Sequence, residues 1–413
     1  MKRTISAARP LACLLAVSLL FSSCFKDTCR HTYTLFTPVY TKLTALRAAV
    51  QSKTAMAVVN TGKLYINGNW IFLNEQNKGI HVIDNSNPAH PVNTAFINIP
   101  GNIDMAVKGN TLYADLYCDL AAIDISDPKH ISVAKFLTNT FPDKSSNPAT
   151  ANPDSINVIT NWTSRDTTVS CDQNLTACNN CGIFLSVAPA SNFSSSGSTN
   201  GVAGSTARFA TVDNYMYAVT ASNLNVIDIS AAANPLFVQT EYIGWNIETI
   251  FPYNNKLYIG AGNSMSVYDL QNPVNPQPMS WSGHWCSGDP VVADNNYAYV
   301  TLHAANICGN TVNELEIYDL RTASNPVAIK AYPLTNPQGL SKDGNLLFIC
   351  DDGLKVYDVS DVNNIKLVKH ITGMVTSDVI TASGIAYLVA KDGLYQYDYS
   401  DAQNIHLLSR LNK

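Results

Sequence analysis

Four acidic residues, Asp104, Glu248, Asp289 and Asp378, stand within one residue of a common place in a pattern that repeats along the chain. Carboxylates held close together raise one another's pKa or recruit a hard cation such as Ca²⁺, which accepts oxygen ligands from flexible sites. The competing role is local, each acid capping the amides of its own turn. His284 lies between Trp281 and Trp285, a polar and aromatic stretch able to hold a ligand, although a single loop histidine is more often solvated. Cys171, Cys178 and Cys181 contain a CxxC that fits either zinc or a disulfide, and the run CNNCG lacks the histidine of a c-type haem site. The eight histidines show no paired metal-ligand spacing, and no GxSxG, HExxH, P-loop or GxGxxG stands in a fitting context, so neither a metal nor a catalytic set is assigned.

These residues are carried by a repeat. Strand-like segments ending in Asp recur at Asp84, Asp124, Asp228, Asp269, Asp319, Asp358 and Asp398, spaced 40, 104, 41, 50, 39 and 40 residues apart. An aromatic strand precedes each: NWIFL, NTLYA, NYMYA, NKLYI, NYAYV, NLLFI and GIAYL. About forty residues with frequent turns make four short strands, and a unit apolar on both faces must stack against neighbours. At the end of a buried strand, Asp accepts from the amides of the following turn. The pattern predicts an all-β fold, a seven-bladed β-propeller of four-stranded blades with one long irregular insertion at 143–206 between blades 2 and 3. Calling the strands A to D from the axis outward, the D-to-A and B-to-C connections emerge on one face. That face should carry the insertion, the loop with Trp281, His284 and Trp285, and the four acids, placed as a ring around the funnel mouth. Cys286 and Cys308 should also meet there and form a disulfide, within reach of the geometric limits for such bonds.

The N-terminus reads differently. Lys2, Arg3 and Arg9 precede an apolar run from Leu11 to Phe21 and the small pair Ser22-Ser23, ending at Cys24. That order is an export signal, too short to anchor as a helix. Leu20-Phe21-Ser22-Ser23-Cys24 resembles a bacterial lipobox, which implies cleavage before Cys24 and acylation of that residue, palmitate among the chains. Two or more chains give stable anchoring at about 0.8 kcal/mol per buried CH₂. Residues 1–23 are then the signal peptide, 24–60 an N-terminal tether and 61–413 the propeller. Losing Lys2, Arg3 and Arg9 takes the formal net charge from −5 to −8. With only 14 % charged residues and no basic block, the chain lacks the footprint of nucleic-acid binding. Export favours disulfides over zinc at Cys171, Cys178 and Cys181.

GLKVYDVSDVNN and GIHVIDNSNPAHPVNTAFINIPGNIDMAVKGNTLYAD are similar to the LVIVD-repeat family of bacterial, Bacteroidota-type cell-surface propeller lipoproteins. The resemblance spans most of 61–411. It implies a propeller held at the outer membrane by a lipid, and brings no catalytic residues with it. Ser341-Lys342-Asp343-Gly344 resembles the Asp-box of sialidase propellers but lacks its spacing and its Trp. Two function classes remain: a non-catalytic surface module for a protein or glycan partner, which is favoured, and an exported hydrolase or lyase with a carboxylate-lined site in the funnel.

Overall fold

The computed structural model describes residues 30–145, 152–170, 202–283, 287–288, 290–304, 312–321 and 326–413. Seven antiparallel sheets form the blades of a propeller: blade 1 (61–98), blade 2 (105–137), blade 3 (209–242), blade 4 (247–283), blade 5 (291–333), blade 6 (340–371) and blade 7 (376–412). The A strands neighbour one another around a closed ring, with blade 7 meeting blade 1.

Burial follows the hydrophobic pattern strand by strand. The C strand GIHVID of blade 1 is buried along its first five residues, as is the equivalent DLAAID of blade 2, because the neighbouring blades cover both faces. D strands such as KLVKHI of blade 6 are mostly exposed and form the rim. In all seven blades the C–D register slips at the same place, a β-bulge just before the strand-end Asp. Each of those seven Asp residues accepts the backbone N–H two positions on, at 2.7–3.0 Å. In five blades that position is a serine, and its hydroxyl and backbone N–H together hold Asp84, Asp124, Asp228, Asp358 and Asp398 below the usual carboxylate range.

The aromatic of each B strand is the blade-to-blade spacer. Phe72, Tyr113, Tyr217, Tyr258, Tyr299, Phe348 and Tyr387 are all buried. A buried phenol needs a partner, and two of them bond the next blade: Tyr113 donates to Ala232 O and Tyr217 to Pro273 O, both at 2.8 Å. The seam between the last and first blades uses side chains instead of an exchanged strand. Gln396 donates to Asn85 Oδ1 (2.7 Å) and Ser409 to Pro88 O (2.6 Å).

Residues 30–60 are not the plain tether expected from sequence. Arg30–Lys42 is a strand and Leu43–Ala48 a helix, and Gln51–Thr54 adds a fifth strand outside the D strand of blade 1. Leu43, Leu46, Val50 and Val58 join the propeller's apolar core, and this burial holds the segment in place. The insertion likewise contains a regular element, the strand Asn157–Ser170, paired with Arg30–Lys42. The chain divides into two compact units, one of Tyr40–Thr160 and Ala190–Lys413, the other of Met1–Val39 and Asn161–Pro189. In the smaller unit, residues 30–39 and 161–170 form a ribbon rich in threonine, in which Thr34 donates to Asp166 (2.8 Å) and Thr163 to Thr37 O (3.3 Å).

Candidate functional site

Two of the four singled-out acids lie at the axis, and they face the chain itself. The returning end of the insertion, Val202–Ala203, pairs with Ile66 and Tyr65 on the inner edge of blade 1, and so enters the propeller's centre as an extra innermost strand. The following residues are bonded around the ring. Leu340 N of blade 6 donates to Ser205 Oγ (2.7 Å), Thr206 Oγ1 to Asp378 Oδ2 of blade 7 (3.1 Å), and Ile250 N of blade 4 to Ala207 O (2.6 Å). Arg208 N then donates to Asp104 Oδ2 of blade 2 (2.7 Å). The central channel thus contains a plug made from the protein's own backbone.

Lys63 is the cation that makes this arrangement electrically tolerable. Its Nζ donates to Thr206 O at 2.7 Å and lies 4.0 Å from Asp104 Oδ2, with both side chains buried. Burial pushes Lys63 down to about 8, opposed by the charges of Asp104 and Asp378. Burial pushes Asp104 up, opposed by Lys63 and by the amides of Arg208 and Met105. Asp378 sits in a glycine cradle: a Cβ on Gly204 would lie 2.2 Å from its Oδ2, and one on Gly339 2.3 Å from its Oδ1. Only glycine leaves room for that carboxylate.

The ring of acids expected at the funnel mouth therefore takes another form. Asp104 and Asp378 are each only 3 % exposed and are interleaved with a lysine and backbone donors. Glu248 is half-buried and accepts from Asn246 Nδ2 (3.2 Å). Asp289 lies outside the described residues, as do His284, Trp285, the disulfide candidates Cys171, Cys178, Cys181, Cys286 and Cys308, and the lipidation candidate Cys24. Among the described residues no group of three His, Cys, Asp or Glu side chains could hold a metal ion such as Ca²⁺. Their cysteines are Cys118 and Cys350, buried thiols, the former pushed up to about 12 chiefly by burial.

A second set of acids escaped the sequence reading. Glu75, Asp115 and Asp351 follow the B-strand aromatics Phe72, Tyr113 and Phe348 by two or three residues. Each accepts two consecutive amides from the connection leading into its own blade: Val59 and Asn60, Ile103 and Asp104, Thr335 and Asn336. Their signal in the sequence is the acid of FLNE, YAD and FICD, one strand before the repeating Asp. Beside Asp104 and Asp115, with Lys144 and Arg208, lies a cleft of about 20 Å³. That admits a water or so, against roughly 300–1,000 Å³ for an organic ligand.

Among the described residues of the D-to-A face, three large aromatics are open to solvent. Trp281, near the end of the blade 4 D strand, is 65 % exposed, and its ring lies over Gly283, where a Cβ would come within 2.6 Å. Tyr242, the last residue of the blade 3 D strand, and Trp245, in the connection to blade 4, are 70 % and 57 % exposed, and neither is marked by the repeat pattern.

Three stretches of the chain, 60–95, 102–137 and 203–240, match the LVIVD repeat, and they fall on blades 1, 2 and 3 with the plug strand. No curated protein matches the chain. Among solved structures it is similar to a protein from Lactobacillus plantarum, at 12 % identity over 85 % of this chain and 96 % of that one, with a TM-score of 0.52. It is also similar to the periplasmic gluconolactonase PpgL of Pseudomonas aeruginosa, at 10 % identity over 86 % and 96 %, with a TM-score of 0.50. The chain spans 39 % of the length of PorZ, a bacterial surface component of the type-IX secretion system of Porphyromonas gingivalis, at 12 % identity over 88 % of this chain and a TM-score of 0.48. At such identities the likeness is one of fold alone.

Proposed function

We propose that this chain is an exported, lipid-anchored module of the bacterial surface, whose propeller binds a protein or glycan partner through the D-to-A face without transforming it. One observation carries the binding half. The axial carboxylates that a funnel hydrolase or lyase would use are bonded to the chain's own plug, while Tyr242, Trp245 and Trp281 stand open to solvent. Large aromatics with a polar handle dominate binding energy at protein interfaces, and flat rings equally suit the apolar faces of sugars. The rigid ring beneath is the kind of scaffold on which loops carry function. The anchored address rests on the basic, apolar and small segments that end at Cys24.

A photo-crosslinking amino acid at Trp245 or Trp281, in cells making the full chain, should capture a partner. The same group at Asn87, on the opposite face, should not. Equal capture from both faces, or none from Trp245 and Trp281, would remove this reading. For the anchor, Cys24→Ala should shift the chain from the membrane fraction to the soluble one, and an unchanged distribution would contradict it.

A further inference from the structure

Cross-strand register decides which neighbour each side chain of the outer strands faces. Leu224 and Val226 of the blade 3 C strand pack with Tyr268 and Leu270 of blade 4, so their D-strand partners Glu241 and Gln239 face blade 4 too. On the blade 4 C strand, Ser266 and Ser264 share the face of Tyr268, and their D-strand partners are Trp281 and Gly283. Glu241 and Trp281 therefore line the same gap from opposite sides. The heights match as well. With the strand-end residues Asp228 and Asp269 aligned, Glu241, opposite Leu224, is level with Met265, between the levels of Trp281 and Gly283. The outer edge of the indole fills the space over Gly283 where a Cβ would sit, which brings it past that level. Gln239 bridges the lower part of the gap by donating to Asn275 Oδ1 (3.3 Å), and the upper end lies at the D-to-A face.

Two features of this gap point to a ligand. Among the described residues nothing donates to Glu241 Oε2, which is buried. Burial pushes that carboxyl up, and its charge adds to burial in pushing up the phenol of Tyr268 across the gap. An acid so placed has given up hydration without a donor in return. The second feature is Trp281, whose ring is held in place over Gly283 yet stays 65 % exposed. We propose that the gap is a subsite for a neutral glycan, with the C–H face of one sugar ring resting on Trp281 and adjacent hydroxyls of that ring donating to Glu241. This names the partner class within the face-binding reading above and rests on it. Two carboxylate oxygens can accept from two neighbouring hydroxyls, and Ser264 and Ser266 on the same face can both donate and accept, as sugar hydroxyls require. A cationic side chain would have to shed its own hydration to reach a half-buried acid, and an ammonium is best held by a cage of several rings.

Affinity electrophoresis and titration calorimetry of the purified chain against soluble β-glucan, β-mannan, arabinoxylan and starch test this. At least one should bind, with a dissociation constant on the order of 0.1–1 mM, as suits one exposed sugar subsite. On that polysaccharide Trp281→Ala should weaken binding about tenfold or more. Glu241→Gln should weaken it about fivefold, because a hydrogen bond to a charged acceptor is stronger than one to an amide. Gly283→Ala should match Trp281→Ala, since its new Cβ, 2.6 Å from the ring, pushes the indole aside. Leu367→Ala, on the exposed D strand of blade 6, should bind like wild type. Thermal unfolding checks that each variant is folded, and Trp281→Ala and Glu241→Gln carry the test if Gly283→Ala is not. No binding to any of the four, unchanged binding in a folded gap variant, equal loss in Leu367→Ala, or gap variants that lose poly-L-lysine in place of a glycan would overturn the proposal. If crosslinks at Trp281 capture a protein while no polysaccharide binds, the glycan subsite fails and the face-binding reading stands.

Discussion

Replacing Lys63 by methionine should lower the unfolding free energy by about 3–5 kcal/mol at pH 7, the usual loss when one partner of a buried ionic group is removed. Asp104 would keep the amides of Met105 and Arg208 but lose the buried cation that offsets its charge. The pH dependence distinguishes this from a packing defect. Without the cation that opposes the effect of burial, Asp104 binds protons more readily in the folded than in the unfolded chain, so the folded state gains relative stability as pH falls from 7 toward 4. Wild-type Asp104 is raised in the same direction by burial, but Lys63 opposes it, so its own gain is smaller. Urea titrations at pH 7 and pH 5 should therefore show the deficit of Lys63→Met narrowing in acid. A deficit equal at both values would mean that charge is not what Lys63 supplies.

Tyr113→Ala should cost about 3–5 kcal/mol, as for other large aromatic truncations in a packed core, because its ring is fully buried between blades 2 and 3. Tyr113→Phe keeps the ring and removes only the bond to Ala232 O, and should cost about 1 kcal/mol. Urea midpoints of the two variants separate ring burial from the hydrogen bond. Equal losses would assign the whole effect to the hydroxyl and make the ring a passenger.

The architecture could be read from sequence because propeller blades announce themselves locally. In every blade but the fifth the aromatic stands only 10 to 12 residues before the strand-end Asp, and such local spacing survives in a linear string. The parts that escaped depend on distance along the chain. Gln51–Thr54 reads as QSKT, four polar residues, and becomes a strand only because blade 1 offers an edge. Val202–Thr206 has no periodicity, and its small residues make sense only beside Asp378, far away in the sequence. Lys63 looks like an ordinary surface lysine in TGKLYIN until the acids of blades 2 and 7 are brought to it. Asp104 and Asp378 stand out in the sequence, but their partners do not, and the partners decide what a buried carboxylate does.

The plug also bears on the order in which the molecule is made. Val202–Thr206 lies in the chain after blades 1 and 2 and before the five that follow, so once blade 1 has formed the strand can pair with Tyr65 and Ile66 before the ring closes. On that route it never has to thread a finished hole; the wheel closes around its axle. A circular permutant that begins at blade 3 and delivers 202–206 last would have the same final bonds and a far harder route to them.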